Sequence, residues 1–133
     1  MAQWILKSEP GSYGWDDLVR DGGTEWDGIR NAAARLHLKA MAVGDAALLY
    51  HSGKDKAGVG VVRIARGWQP DGDDGDWASV RVEPVRALAR PVTLAAMKAE
   101  ARLKGLEMLR QSRLSVSPVS DAQWAVLMEM GGG

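Results

Sequence analysis

The chain has 133 residues, a length that suits one domain with a hydrophobic core of its own. It contains no cysteine, which excludes disulfides, zinc–thiolate sites and cysteine nucleophiles. Its 17 basic and 17 acidic side chains give a formal net charge of zero, which disfavours a protein that holds nucleic acid mainly by neutralising phosphates.

The sequence shows no signal for export or for membrane insertion. Its start, Met-Ala-Gln-Trp, has neither the basic flank nor the apolar run of a secretory signal. No stretch approaches the ~20 apolar residues that are needed to cross a bilayer. We therefore expect a soluble, cytoplasmic protein that makes no membrane contact.

The first half of the chain predicts three strands and two helices. The predicted strands are Trp4–Ser8, Ala46–Ser52 and Val59–Ala65, and the predicted helices are a short one around Trp15–Val19 and a longer one over Ala32–Met41. Because successive strand residues point to opposite faces, Lys7 and Glu9 are expected on one face and Ser8 on the other. The stretch Trp26–Asn31 is expected to be irregular, with Asn31 as the N-cap of the second helix.

The second half is divided by prolines, glycines and two clear patterns. Its first predicted elements are a surface loop over Trp68–Trp77, a half-buried strand over Ala78–Glu83, and an edge or connector between Pro84 and Pro91. A helix over Thr93–Arg102 and a late strand over Arg113–Val119 follow. The last helix begins with the capping box Ser120–Gln123 and ends at Gly131.

The order of these elements predicts the fold class. Strands are interrupted by helices without a regular βαβ alternation, and the chain has neither an internal repeat nor a linker. This order is typical of an α+β domain, in which a strongly curved mixed sheet approaches a barrel. We expect a single domain over residues 1–133.

Four separated segments carry a family resemblance. They are Trp4–Pro10 (WILKSEP), Trp26–Asn31 (WDGIRN), Gly44–Asp45 together with Tyr50–Ser52 (GD and YHS), and Arg110–Val116 (RQSRLSV). In this order they resemble the EVE domain, a PUA-like family related to the YTH readers of methylated adenine, and the resemblance covers essentially the whole chain. The family commonly has Tyr-Gln after the Arg-Asn pair, where this chain has Ala32 and Ala33.

The resemblance implies a PUA-like pseudo-barrel flanked by helices, with a cleft for a modified base. The implied function is a non-catalytic module that flips a modified base of DNA or RNA into an aromatic and polar pocket. No cofactor and no metal are implied, and we expect a monomer. The residues carried over to this pocket are Trp4, Lys7, Ser8, Glu9, Trp26, Arg30, Asn31, Tyr50, His51, Ser52 and Arg113.

Several of these residues also have a chemical argument of their own. Trp26 precedes a glycine-containing turn, so it is the first choice for a stacking platform, with core packing as an equal alternative. Asn31 suits an adenine or cytosine edge, and capping a helix is its other role. Ser8 and Ser52 are expected to point into one cleft, and Glu9 is a candidate acceptor for an exocyclic amine.

Two further cations and two other functions stay open. Arg35 and Lys39 are four residues apart on one predicted helix face, which makes them weak candidates for phosphate contacts. Some relatives in the wider PUA-like group, of the ASCH type, are amidohydrolases or nucleases, and Lys7 and Glu9 would be the residues for such a reaction on modified nucleosides or RNA. The third possibility is an interaction module whose pocket holds a peptide or a small metabolite.

Overall fold

The computed structural model describes residues 2–29, 31–71, 77–111 and 113–132. Six strands run through them: β1 (Gln3–Ser8), β2 (Thr24–Trp26), β3 (Ala46–His51), β4 (Ala57–Pro70), β5 (Ala78–Thr93) and β6 (Val116–Val119). The helices are α1 (Trp15–Asp21), α2 (Ala32–Ala40), α3 (Leu94–Ala99), α4 (Glu107–Arg110) and α5 (Asp121–Met130), with a 3-10 turn at Ala101–Leu103. Within these ranges the structure contains no helix long and apolar enough to span a membrane.

The strands form one mixed sheet in the order β2-β5-β4-β3-β1-β6. β1 and β3 run parallel, and the other neighbouring pairs are antiparallel. The predicted α+β class with a mixed sheet is therefore confirmed. Among the described residues no pairing joins β2 to β6 to close a ring, so the pseudo-barrel stays a prediction.

The sheet separates two layers of the hydrophobic core, and helices cover both faces. In β1, Trp4 and Leu6 lie in one layer while Ile5 lies in the other, as the alternation of side chains along a strand requires. The first layer includes buried residues of α1 and α2. The second layer includes buried residues of α3, α4 and α5.

The largest departure from the sequence prediction is the length of β4 and β5. β5 continues as one strand through Pro84 and Pro91, where the sequence predicted an edge or a connector. β2 pairs with β5 only at Val80 to Val82, so both prolines lie where this side of β5 has no described strand neighbour. Proline, which has no N–H, is tolerated at such an edge, and the pairing with β4 also shifts register near Pro84.

The predicted elements differ from the observed ones mainly at their ends. Strand pairing extends β4 through Pro70, so Trp68 lies in a strand and not in the predicted loop. The predicted helix over Thr93–Arg102 is interrupted at Glu100, whose extended backbone separates α3 from the 3-10 turn. Both predicted N-caps of the longer helices are confirmed: Asn31 Oδ1 accepts from the Ala34 N–H at 3.0 Å, and the capping box at the start of α5 is formed.

Gly60 in β4 allows α1 to pack closely on the sheet. The ring of Trp15 lies where a Cβ at Gly60 would be, so any side chain there would overlap the indole. We expect Gly60→Ala to lower the free energy of unfolding by about 1–3 kcal/mol, the usual cost of overpacking. Urea denaturation measures this loss. Gly67→Ala is the matched control, because its Cβ would meet only the Met41 carbonyl at 4.0 Å, and equal stability of the two variants would contradict the prediction.

Candidate functional site

A cavity of about 360 Å³ opens beside the carboxyl end of β1 and strand β2. This volume lies within the range of small-molecule sites in proteins. Its lining residues come from the end of β1, from the segment before α1 and from β2 with the turn after it: Lys7, Ser8, Glu9, Tyr13, Thr24, Glu25, Trp26, Asp27 and Ile29. We call it the first cavity.

The apolar wall of the first cavity consists of two aromatic rings and an isoleucine. Trp26 is only 7% exposed and belongs to the core layer beneath α1 and α2, so a small part of its indole remains for a ligand. Tyr13 is half-buried, and its hydroxyl donates to Asp21 Oδ2 at 2.9 Å. Burial and this hydrogen bond raise the pKa of the Tyr13 phenol. Tyr13, Trp26 and Ile29 therefore give the cavity a fixed apolar side.

Two polar side chains of the first cavity already form hydrogen bonds within the protein. Glu25 accepts from Arg66 in a bidentate pair, Nη1 to Oε2 being 3.0 Å, and also accepts from the Ser79 hydroxyl at 3.1 Å. The Arg66 hydrogen bond lowers the pKa of Glu25. The Ser8 hydroxyl donates to the Tyr13 carbonyl. These contacts fix the position of the cavity wall and leave Glu25 and Ser8 little capacity for a ligand.

Glu9 and Asp27 are the acceptors that a ligand can use. Both are exposed, and with the part of the chain that the structure describes neither carboxylate forms a hydrogen bond or an ion pair. Lys7 adds a cation, and burial lowers its pKa. The first cavity thus combines an apolar side with two carboxylates and one ammonium group.

Two further cavities lie near the first one. The lysine cavity, about 220 Å³, is lined by Lys7, Tyr50, Ser52, Gly53, Lys56, Leu94, Lys98, Met108 and Leu109. The arginine cavity, about 360 Å³, is lined by Asn31, Ala33, Arg110, Gln111, Arg113 and Leu114. Because Lys7 lines both the first cavity and the lysine cavity, these two adjoin at the end of β1.

Eight of the predicted pocket residues are distributed over the three cavities. Lys7, Ser8, Glu9 and Trp26 meet in the first cavity, Tyr50 and Ser52 line the lysine cavity, and Asn31 and Arg113 line the arginine cavity. Ser8 lines the first cavity and Ser52 lines the adjoining lysine cavity, and the Ser52 hydroxyl donates to the Ser8 carbonyl at 3.3 Å. Arg30 lies outside the described residues.

Trp4 lies in the hydrophobic core and lines none of these three cavities. It is 6% exposed, and its indole N–H donates to Asp45 Oδ2 at 3.1 Å. Asp45 is itself buried and also accepts from the backbone N–H groups of Ala2 and Ala42. A buried carboxylate that collects three donors anchors the start of β1 to the turn before β3.

His51 positions the amino end of α1. Its Nε2 accepts from the Trp15 backbone N–H at 3.0 Å, and its Nδ1 lies 3.2 Å from Asp55 Oδ2. The acceptor role of Nε2 requires the proton on Nδ1, which then donates to Asp55. The imidazole therefore supports the segment that carries Tyr13, and it lines none of the three cavities.

Arg35 and Lys39, the weak candidates for phosphate contacts, lie over tryptophan rings. The Arg35 guanidinium is 5.4 Å from the centre of the Trp77 ring, and the Lys39 ammonium is 4.8 Å from the centre of the Trp68 ring. Both distances are in the range of cation–π contacts. Neither residue lines the first cavity.

Among the residues in the described ranges, no group of three histidine, aspartate or glutamate side chains is arranged to hold a metal ion. Tyr13, Thr24, Glu25, Asp27 and Ile29 were not predicted for the site. Tyr13 comes from the segment before α1, and the other four come from the short strand β2 and the turn after it, which the long-range pairing of β2 with β5 positions.

A model of the EVE domain family matches residues 2–130 of the chain. Thymocyte nuclear protein 1 of Homo sapiens is 27% identical, over 97% of this chain and 73% of its own length. A protein of Rhodopseudomonas palustris solved by NMR is 43% identical, with a TM-score of 0.95 over 99% of this chain and 94% of the other.

Two similar structures contain nucleic acid. The human THYN1 protein in complex with 5-methylcytosine-containing DNA is 26% identical, with a TM-score of 0.94 over 100% of this chain and 99% of that one. The YTH domain of the Zygosaccharomyces rouxii MRB1 protein, in complex with N6-methyladenosine RNA, is 13% identical, with a TM-score of 0.64 over 98% and 86%. At that identity the second similarity shows a shared fold and nothing more.

Proposed function

Because the chain belongs to the EVE domain family, we propose that it is a non-catalytic module that binds a modified base of DNA or RNA in the first cavity. The base would leave the stack to enter this cavity, as in other proteins that recognise a single base. The module acts as a monomer and uses neither a cofactor nor a metal ion.

The observation that carries this proposal is the combination of an apolar aromatic side with two available carboxylates. A base is flat and apolar on its faces, so it gains ~1–3 kcal/mol by stacking on an aromatic ring. Tyr13 and Trp26 supply that surface. On the base edge, Glu9 and Asp27 can only accept hydrogen bonds when ionised, which favours a ligand that presents N–H groups.

The carboxylates of Glu9 and Asp27 restrict which bases the first cavity can bind. Cytosine, adenine and guanine carry an exocyclic amine, whereas thymine carries only carbonyl oxygens at the corresponding positions. We therefore propose that the first cavity binds a modified base with an exocyclic amine, and that cytosine is the first candidate. The 26% identical human THYN1 protein, whose complex contains 5-methylcytosine DNA, supports this choice.

The basic residues outside the first cavity are proposed to contact the nucleic-acid backbone. Arg110 and Arg113 line the arginine cavity together with Asn31, and arginine suits phosphate oxygens because its planar fork donates two parallel hydrogen bonds. Such contacts position the strand and carry no sequence information. The modified base would then be recognised only in the first cavity.

The proposal is tested with oligonucleotides that differ at one base. Binding to strands that contain 5-methylcytosine, N6-methyladenine, or the plain base in the same sequence is followed by tryptophan fluorescence, for which the chain has six tryptophans. We expect one modified strand to bind more tightly than its plain counterpart. Equal affinities across the series would contradict the proposal.

A second measurement separates binding from hydrolysis. Lys7 and Glu9 line the same cavity, which is the arrangement that an ASCH-like hydrolase would need. The protein is incubated with modified nucleosides, and products are followed by chromatography. We expect no turnover. Product formation that is lost in Lys7→Ala would show that the cavity is catalytic.

A further inference from the structure

The lysine cavity collects three cations, of which only Lys7 also lines the proposed base site. Lys7 comes from β1, Lys56 from the loop before β4 and Lys98 from α3. Lys56 and Lys98 form no side-chain hydrogen bond or ion pair with any residue in the described ranges. Like charges held together in this way favour an anion between them.

A tyrosine side chain also lines this cavity. Tyr50 is only 3% exposed, but its phenolic oxygen keeps access to the cavity. This oxygen makes no hydrogen bond with the residues that the structure describes, so it can donate to a ligand. The Lys7 ammonium lies 5.9 Å from the centre of the Tyr50 ring, so a cation and a hydroxyl donor are close together.

We propose that the lysine cavity is a second binding site and that its ligand carries a phosphate group. A phosphate has a charge of about −1.5 to −2 and three acceptor oxygens, which match three ammonium groups and one hydroxyl. Leu94, Met108 and Leu109 provide apolar contact for the carbon part of a phosphate ester. No carboxylate lines this cavity among the described residues, although Glu9 Oε1 of the first cavity lies 3.3 Å from where a Cβ at the lining residue Gly53 would be.

This site does not depend on base recognition, so its test needs no nucleic acid. The full chain, labelled with nitrogen-15, is titrated with inorganic phosphate at constant ionic strength while the backbone amide signals are followed by NMR. We expect saturable shifts at the lining residues Gly53 and Lys56. Shifts that grow linearly without saturation would overturn the proposal.

Variants assign the binding to the lysine cavity. Tyr50→Phe removes only the hydroxyl and should weaken phosphate binding about tenfold, the value of one hydrogen bond to a charged group. Lys98→Gln should weaken it roughly fivefold, since Lys98 is exposed and its attraction is screened. Lys104→Gln is the matched control, with the same change of net charge at a residue that does not line the cavity. Equal weakening in Lys98→Gln and Lys104→Gln would overturn the proposal.

The same variants identify the source of the phosphate. If Tyr50→Phe weakens binding of modified and plain oligonucleotides alike, the site holds a backbone phosphate. If it weakens only phosphate binding, the site holds a separate phosphate compound. Both results support the site. A protein that binds inorganic phosphate saturably but shows no preference for a modified base would contradict the proposed function and leave this second site in place.

Discussion

Replacing Trp26 with alanine is expected to lower the free energy of unfolding by about 3–5 kcal/mol, the usual cost of deleting a large aromatic side chain from a core. Trp26 is 7% exposed and packs in the layer that α1 and α2 cover, and its backbone pairs with Val80 in β5. The variant would therefore leave a cavity that its neighbours fill only partly. Equilibrium urea denaturation followed by circular dichroism measures the loss.

Trp68→Ala is the matched control for this prediction. Trp68 is 42% exposed, so the same substitution there should cost far less than at Trp26. Equal stability of the two variants would contradict the core assignment. Trp26→Phe retains an aromatic ring and most of the packing, so this variant should stay folded. Its affinity for a modified oligonucleotide is therefore the better measure of how much the indole contributes to stacking.

Replacing Glu9 with glutamine is expected to reduce the preference for a modified base about tenfold. The substitution keeps the shape and one acceptor oxygen of the side chain but removes the charge, and hydrogen bonds to charged groups are stronger than neutral ones by roughly 1–1.5 kcal/mol. The Glu9 carboxylate makes no hydrogen bond or ion pair with another described residue, so it is available to a ligand. Because Glu9 is exposed, the substitution should leave the fold intact. The ratio of the dissociation constants for modified and plain oligonucleotides measures the effect.

The control for Glu9→Gln is Glu129→Gln. Glu129 lies in α5, and its contact with Arg102 is an exposed ion pair of little energetic value. Both variants remove one negative charge, so both should strengthen general attraction to the phosphate backbone to a similar extent. Only Glu9→Gln should change the ratio between modified and plain strands. The same ratio in both variants would remove Glu9 from the recognition of the base.

Features with local causes were predictable from the sequence. The alternation of Ala78, Val80 and Val82 predicts a strand with one buried face, and all three are fully buried. Asn31 and Ser120 were predicted as N-caps because capping depends on residues only three positions apart. Such patterns need no knowledge of the rest of the fold.

Features that depend on distant neighbours were not predictable. Pro84 and Pro91 interrupt a strand pattern in sequence, but they are tolerated because β2 reaches only part of β5. Tyr13 and Asp27 enter the first cavity through the packing of α1 and the pairing of β2, neither of which a local pattern encodes. Lys7, Ser8 and Glu9 line the same cavity because they are adjacent in the chain.

The position of β1 in the sheet also bears on how the molecule folds. Gln3 pairs with Val119 and with Ala46, so the first strand lies between β3 and a strand near the other end of the chain. Contacts between residues so far apart in sequence slow folding, because a long loop must close before they form. During synthesis, β1 remains without its second neighbour until residue 119 has left the ribosome. One edge of this early strand is therefore unpaired until β6 has been synthesised, and transient binding by a chaperone would be most useful in that interval.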